Sequence, residues 1–188
     1  AAAETAASQW LLELLDLPRQ SSVGFVTGAT VANFTCLAAA RGEVLRKAGW
    51  DADSRGLFGA PPITVVIGDD AHTTVFSALQ FLGLGHDRAV RVATDGQGSM
   101  LPSAFATAMA QIEGPAIFIM QAGQINTGAF DGFEALAKIS DQLPQIIFVD
   151  IMMPRLDGYQ TCALIKNNTM FRSTPVLMLS SKDGTFDK

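Results

Sequence analysis

The chain has 188 residues, which is enough for one domain with a sizeable core. Hydrophobic residues make up 48% and charged residues only 16%, so a disordered chain is excluded. The net charge is −5 and no basic cluster is present, which argues against nucleic acid as a partner. No apolar run is long enough to cross a bilayer and no signal peptide is visible, so we expect no membrane partner.

Hydrophobic periodicity and turn residues divide the chain into alternating helices and short strands. In chain order, the predicted elements are a helix at 10–17, a helix at 30–48, a polar loop at 50–62, a strand at 63–67, a helix at 72–84, a strand at 89–93, a helix at 102–112, a strand at 116–120, a helix at 131–142, a strand at 146–149, a helix at 159–167 and a strand at 175–179.

Short apolar strands that alternate with amphipathic helices are typical of a parallel sheet covered on both faces. The sequence therefore predicts a single α/β domain over residues 1–188, built as a three-layer α/β/α sandwich with an extra N-terminal helical segment. Ligands of such sheets bind at the carboxyl ends of the strands. Asp69, Asp70 and Asp150 fall at these ends, as do residues 121–124 and 180–182.

Two cysteines, Cys36 and Cys162, lie within apolar helical patterns. We interpret both as buried free thiols rather than as a disulfide or a metal site.

Three stretches of the first 140 residues carry a resemblance to a known family. They are GFVTGATVAN at 24–33, DAHTT at 70–74 and QAGQINTGAFD at 121–131. In this order they resemble the large domain of a pyridoxal-phosphate-dependent decarboxylase of the aromatic-amino-acid and glutamate group. Residues 1–141 are therefore expected to be a fragment of that large domain.

The resemblance implies roles for several residues. The helix start at Ala29 and Thr30 would bind the cofactor phosphate, His72 would stack on the pyridine ring as a catalytic residue, and Asp150 would pair with the ring nitrogen. Lys182 follows the last strand at a spacing similar to that of the Schiff-base lysine, although a solvated surface lysine is the simpler interpretation. Two departures are visible: Ile125 replaces a hydroxyl residue, and residues 151–153 are bulky where the family has small side chains.

A different resemblance begins near residue 142. The segments are QIIFVD at 145–150, DIMMPRLDG at 150–158, YQTC at 159–162 and TPVLMLSSKDG at 174–184. They resemble the receiver domain of a response regulator, in particular those of type IV pilus and twitching-motility regulators. Residues 142–188 are therefore expected to be a receiver-like fragment.

In a receiver, an aspartate accepts a phosphoryl group whose charge Mg²⁺ neutralises. By resemblance, Asp150 is the phosphoacceptor, Ser180 the hydroxyl that senses the phosphoryl group, and Met152 a backbone ligand. The acidic pair that holds Mg²⁺ has no match beside Asp150, because the neighbouring strand is followed by Gln121. We therefore expect Mg²⁺ binding to be weak at best and assign no metal ligand.

The receiver resemblance implies a flavodoxin-like sheet of five parallel strands in the order 2-1-3-4-5, and the core of a decarboxylase large domain contains a similar run of parallel strands. Recombination in the loop at 140–144 would keep this order. The favoured hypothesis is an engineered chimeric scaffold that is no longer an enzyme and needs no cofactor. The alternatives are a remnant that binds pyridoxal phosphate, decarboxylase-like if active, and a phosphoreceiver module of a two-component system. The apolar composition also favours a homodimer. Both resemblances imply a cytoplasmic location, in this case for a recombinant chain.

Overall fold

The computed structural model describes residues 2–14, 19–121 and 123–132, together with the backbone of two later strands. Its elements are α1 (Ala2–Leu14), α2 (Ala29–Lys47), α3 (Ala52–Arg55), β1 (Thr64–Gly68), α4 (Thr73–Phe81), a 3-10 turn (His86–Arg88), β2 (Val90–Val92), α5 (Pro102–Met109), β3 (Ala116–Ile119), β4 (Ile147–Asp150) and β5 (Val176–Leu179). None of the described helices is long and apolar enough to span a membrane.

The strands pair in parallel, as the apolar runs between helices predict. Strand β1 is central, with β2 on one side and β3 on the other; Val66 lies opposite Val90 and Phe118. Strands β4 and β5 form a second parallel pair in which Asp150 lies opposite Leu179. The predicted parallel α/β architecture is confirmed.

Helix boundaries differ from the predictions where the ends are set by caps. Helix α4 begins one residue later than predicted, because the His72 side chain accepts a hydrogen bond from the Thr74 amide and so acts as the N-cap. It ends at Phe81, and Gly83 follows with φ 71°. The predicted loop at 50–62 contains the short helix α3, which the Asp51 side chain caps.

The remaining differences lie at the two ends of the described chain. Helix α1 begins at Ala2 rather than at residue 10, consistent with the high helix propensity of its alanines. Asp131 and Gly132, predicted to start a helix, are irregular. The rest of that predicted helix and the helix at 159–167 lie outside the described residues.

The core forms where α2 and α4 cover one face of the sheet. Strand β1 is buried along most of its length, since both of its edges are paired. The buried cluster between these helices and the sheet contains Leu37, Ala40, Val65, Ala78, Leu79, Leu82 and Ile117.

Cys36 is a buried free thiol of α2, as predicted, whereas Cys162 lies outside the described residues. Burial raises the pKa of the Cys36 thiol from 9.0 to about 12. The unfolded chain therefore ionises this thiol first, and stability is lost as the pH rises above 9.

We expect this loss to be about 1.4 kcal/mol for each pH unit above 9, until the folded thiol also ionises. Urea unfolding at pH 8 and pH 10.5, with Cys36→Ala beside the unmodified chain, measures it. The unmodified chain should lose stability relative to the alanine variant at the higher pH. An equal pH dependence of the two proteins would show that Cys36 is not buried as described.

Candidate functional site

The start of α2 presents backbone amides at the carboxyl edge of the sheet. Gly28 is the N-cap, and the first helical hydrogen bond runs from the Ala32 amide to the Gly28 carbonyl at 3.0 Å. The amides of Ala29, Thr30 and Val31 therefore have no carbonyl of the helix to donate to. A Cβ built on Gly28 would meet nothing within 4 Å, so the helix start opens onto free space.

His72 is held at the start of α4 by two groups of Thr74. The Thr74 amide donates to the ring Nδ1 at 3.2 Å, and the Thr74 hydroxyl lies 2.9 Å from the same nitrogen. The Asn33 side-chain amide donates to this hydroxyl at 3.0 Å, which leaves the hydroxyl proton for Nδ1. Nδ1 is thus an acceptor, and the neutral ring carries its proton on Nε2.

Hydrogen bonds from Asn33 to Thr74 and from Thr74 to His72 therefore join the GFVTGATVAN motif to the DAHTT motif. The far end of α4 is also tied to α2, because the Arg41 guanidinium donates to the Leu82 carbonyl at 3.0 Å. The Arg41 Nε is buried without a partner among the described residues. Helix α2 thus fixes both ends of α4, and with them the position of the His72 ring.

Thr74→Val keeps the shape of the side chain and removes the hydroxyl that joins Asn33 to His72. We expect a loss of about 1 kcal/mol in the free energy of unfolding. The ¹⁵N chemical shift of His72 Nδ1 should also move, because the ring loses a donor. Thr73→Val, one residue earlier, is the matched control. Equal stability and an unchanged Nδ1 shift in Thr74→Val would rule out this hydrogen-bond chain.

The acidic pair after β1 is exposed. The Asp70 carboxylate accepts a hydrogen bond from the Thr94 hydroxyl at 3.0 Å, and the Asp69 amide extends the ladder to the Val92 carbonyl. Because β1 lies between β2 and β3, this pair stands at the end of the central strand of the three.

No cluster of three or more histidine, cysteine, aspartate or glutamate side chains is suited to a metal within the described part of the chain.

The loops after β2 and β3 contact each other across the end of β1. We name them the hairpin (residues 93–101) and the cover loop (residues 121 and 123–131). The Thr127 hydroxyl donates to the Gln97 carbonyl at 2.6 Å, and the Ser99 hydroxyl donates to the Phe130 carbonyl at 2.7 Å. The Met100 amide donates to the Asp131 carboxylate at 2.7 Å.

Asp131 is the residue whose role the sequence did not reveal. It is 3% exposed, and its second oxygen accepts from the Gln121 amide at 2.6 Å. Burial raises the pKa of the Asp131 carboxyl, the amides of Met100 and Gln121 oppose this rise, and the nearby Asp95 charge adds to it. The available signal was its position as the last residue of the QAGQINTGAFD stretch.

The remaining predicted site residues fall at or beyond the second strand pair. Asp150 is the last residue of β4, and its backbone lies opposite Leu179, the last residue of β5. Ser180 and Lys182 lie outside the described residues. The convergence of His72, Asp150 and Lys182 on one pocket therefore stays a prediction.

Comparison with known proteins finds matches to the same two classes of protein. Residues 109–188 match the response regulator receiver domain family. Protein PilG of Pseudomonas aeruginosa is 82% identical over 60 residues, which cover 32% of this chain and 44% of PilG. Human acidic amino acid decarboxylase is 30% identical over 130 residues, which cover 67% of this chain and 24% of that enzyme.

Solved structures agree with the decarboxylase part. Mouse CSAD superposes with a TM-score of 0.64 at 25% identity, over 84% of this chain and 35% of that one. The glutamate decarboxylase domain of a Vibrio parahaemolyticus protein gives a TM-score of 0.62 at 25% identity, over 76% of this chain and 33% of that one. The chain spans less than half the length of these relatives. It combines a receiver-type segment with a segment homologous to pyridoxal-phosphate-dependent decarboxylases.

Proposed function

We propose that this chain is an engineered α/β scaffold. Its decarboxylase-like segment and its receiver-like segment together complete one sheet, and neither parent reaction is retained. The observation that carries this proposal is the pairing of strands. The decarboxylase-like part supplies the order β2-β1-β3, and the later part supplies a parallel β4-β5 pair. Placing β4 beside β3 would give the five-stranded order 2-1-3-4-5 in a three-layer sandwich.

The segment boundary proposed here is at residues 141 and 142, in the connection between a helix and a strand. The receiver family match begins earlier, at residue 109. This earlier start is consistent with the proposal, because β3 would then occupy the place of a receiver strand. Two parents that contain a similar run of parallel strands can exchange segments there with few mismatched contacts.

The expected loss of decarboxylase activity rests on residues around the Asp150 position. Residues 151–153 are Ile, Met and Met where the related decarboxylases have small side chains, and they would crowd a cofactor ring. Ile125 is an exposed residue in a turn of the cover loop and offers no hydroxyl to a ligand. An amino-acid decarboxylation assay with added pyridoxal phosphate should therefore give no carbon dioxide above the no-protein blank; sustained release would contradict the proposal.

The expected loss of phosphoacceptor function rests on missing carboxylates. In the proposed order, Asp150 has β3 as its neighbour, and the chain after β3 continues with Met120 and Gln121 rather than with an acidic pair. One carboxylate holds Mg²⁺ weakly. Incubation with Mg²⁺ and a small phosphodonor should leave the intact mass unchanged. A gain of one phosphoryl group that Asp150→Asn abolishes would overturn this part of the proposal.

A second candidate function is binding of pyridoxal phosphate without turnover. The observation that favours it is the open helix start at Ala29 and Thr30 in a structure that also fixes the His72 ring through Asn33 and Thr74. These groups fit a phosphate and a planar ring, respectively. When bound, the cofactor would supply an electron sink. The solved rice TDC that contains PLP and tryptamine shares the fold, with a TM-score of 0.58.

Borohydride reduction after mixing with pyridoxal phosphate tests this candidate, with Lys182 as the proposed Schiff-base residue. The adduct should map to Lys182 and disappear in Lys182→Arg, whereas Lys47→Arg, which removes an exposed lysine of α2, should leave it intact. Equal labelling of several lysines, or no label, would reject the candidate.

A homodimer is proposed from an apolar stripe around the start of α2. Phe25, Val26, Val31 and Phe34 are all exposed, and the last two lie on one face of the helix at i and i+3. A second copy of the chain could cover this stripe. Sedimentation at several concentrations should give a dimer that Phe34→Ser weakens. A monomer at all concentrations would refute it.

A further inference from the structure

The hairpin and the cover loop are each closed by their own hydrogen bonds. In the hairpin, the Leu101 amide donates to the Ala93 carbonyl at 2.9 Å, and the Asp95 amide donates to the Ser99 carbonyl at 2.8 Å. In the cover loop, the Asp131 amide donates to the Gln121 carbonyl at 2.9 Å, so both of its ends meet. Each loop is thus a compact unit in its own right.

Three hydrogen bonds join these units, and one differs from the others. Two come from the hydroxyls of Thr127 and Ser99, which are on the partly exposed side of the contact. The third places the Met100 amide against the buried Asp131 carboxylate, whose other oxygen holds the Gln121 amide. The Asp131 carboxylate therefore accepts hydrogen bonds from a backbone amide of each loop, Met100 in the hairpin and Gln121 in the cover loop.

The joined loops cover the end of β1. A Cβ built on Gly68 would lie 3.1 Å from the Met100 Cγ, so the Met100 side chain packs directly on the last residue of this strand. Beside it, the Thr94 hydroxyl holds the Asp70 carboxylate. Separation of the two loops from this position would expose the buried Gly68 and free the already exposed Asp70 carboxylate from its hydrogen bond with Thr94.

We propose that the hairpin and the cover loop form a single lid over the carboxyl end of β1, and that the Asp131 carboxylate is the latch that makes them open together. A buried carboxylate with two backbone donors is a strong bond in a low-dielectric site, whereas the flanking hydroxyl contacts are replaceable by water. The carboxyl ends of parallel strands are where ligands of such sheets bind. The lid would thus control access of any ligand to that edge.

Native-state hydrogen exchange followed by NMR tests the latch on the full chain. The readouts are the amides of Met100 in the hairpin and Gln121 in the cover loop. In Asp131→Asn both should exchange at least tenfold faster, while the amides of Val66 in β1 and Leu79 in α4 keep their rates. Acceleration of only one loop, an equal acceleration of all four amides, or no change would each overturn the proposal.

Asp95→Ala is the matched control, because among the described residues the Asp95 carboxylate accepts hydrogen bonds only from the amides of Gln97 and Ser99, both within the hairpin. It should accelerate those two amides and leave Gln121 unchanged; acceleration of Gln121 to the level of Asp131→Asn would contradict the assignment of the latch. Should Asp131→Asn not fold, the unmodified chain suffices. The opening equilibrium constants of the Met100 and Gln121 amides must then agree within about twofold and change equally in low urea. A tenfold or larger difference between the two constants would refute a common lid.

Discussion

Replacing Asp131 by alanine is expected to lower the free energy of unfolding by about 2 to 6 kcal/mol. The side chain is 3% exposed and accepts hydrogen bonds from two backbone amides, those of Met100 and Gln121. Alanine would leave both donors without their partner in a site that water does not readily enter. Each buried donor left in this way costs about 1 to 3 kcal/mol, which sets the size of the effect.

Urea unfolding at neutral pH, followed by circular dichroism, measures this loss. Asp69→Ala is the matched control, since Asp69 is an exposed aspartate at the same edge of the sheet. It should change stability by less than about 0.5 kcal/mol. If the two variants were equally stable, Asp131 would not hold the two loops.

Gly98→Ala is expected to cost about 2 to 4 kcal/mol. Gly98 has φ +84°, a conformation that a side chain disfavours, and it is buried between the hairpin and the cover loop. An added Cβ would lie 2.9 Å from the Gln124 Cγ and 3.4 Å from an Asp70 carboxylate oxygen. The Gln124 side chain cannot simply move away, because its oxygen accepts from the amides of Asn126 and Thr127.

Gly96→Ala, two residues earlier in the same turn, separates this cost from a general effect of losing a glycine. A Cβ at Gly96 would meet nothing within 4 Å, and its φ lies outside the left-handed region. We expect a change below about 1 kcal/mol, and alanine could even stabilise by restricting the unfolded chain. Thermal unfolding of both variants provides the comparison; equal melting temperatures would mean that the hairpin does not pack on the cover loop.

The strands of this fold are readable from sequence because each is a short apolar run that ends in polar residues. Strand β1 shows this most clearly, since its valines and isoleucine are buried by neighbouring strands and covering helices. The start of α4 was also close to its predicted place, but the predicted helix included His72. The ring instead caps the helix, and a histidine cap is not among the usual N-cap residues.

The role of Asp131 could not be predicted from local pattern. Its bond to the Met100 amide joins residues 31 positions apart, and nothing near either residue marks the contact. The same holds for Asn33 and Thr74, which are 41 positions apart. Such polar contacts depend on how the loops meet in space, so the motifs indicated that these segments matter without showing which side chains bind each other.

The two-family origin was readable for a different reason. The DIMMPRLDG loop and the GFVTGATVAN turn combine several residues at fixed spacing, and combinations are far more specific than single positions. The match to the receiver family and the 30% identity to a decarboxylase confirm both assignments. Composition gave no indication of a boundary, because both parents use the same apolar strands and amphipathic helices.

The central structural claim is that the receiver-type strand β4 continues the decarboxylase-type sheet at β3. Cross-strand NMR contacts between the backbone protons of Ala116–Ile119 and Ile147–Asp150 test it most directly. The proposed order predicts parallel contacts along β3 and β4, in addition to contacts between β4 and β5, which pair in parallel in the structure. Contacts of β4 with β5 alone, or with β2 in place of β3, would contradict it.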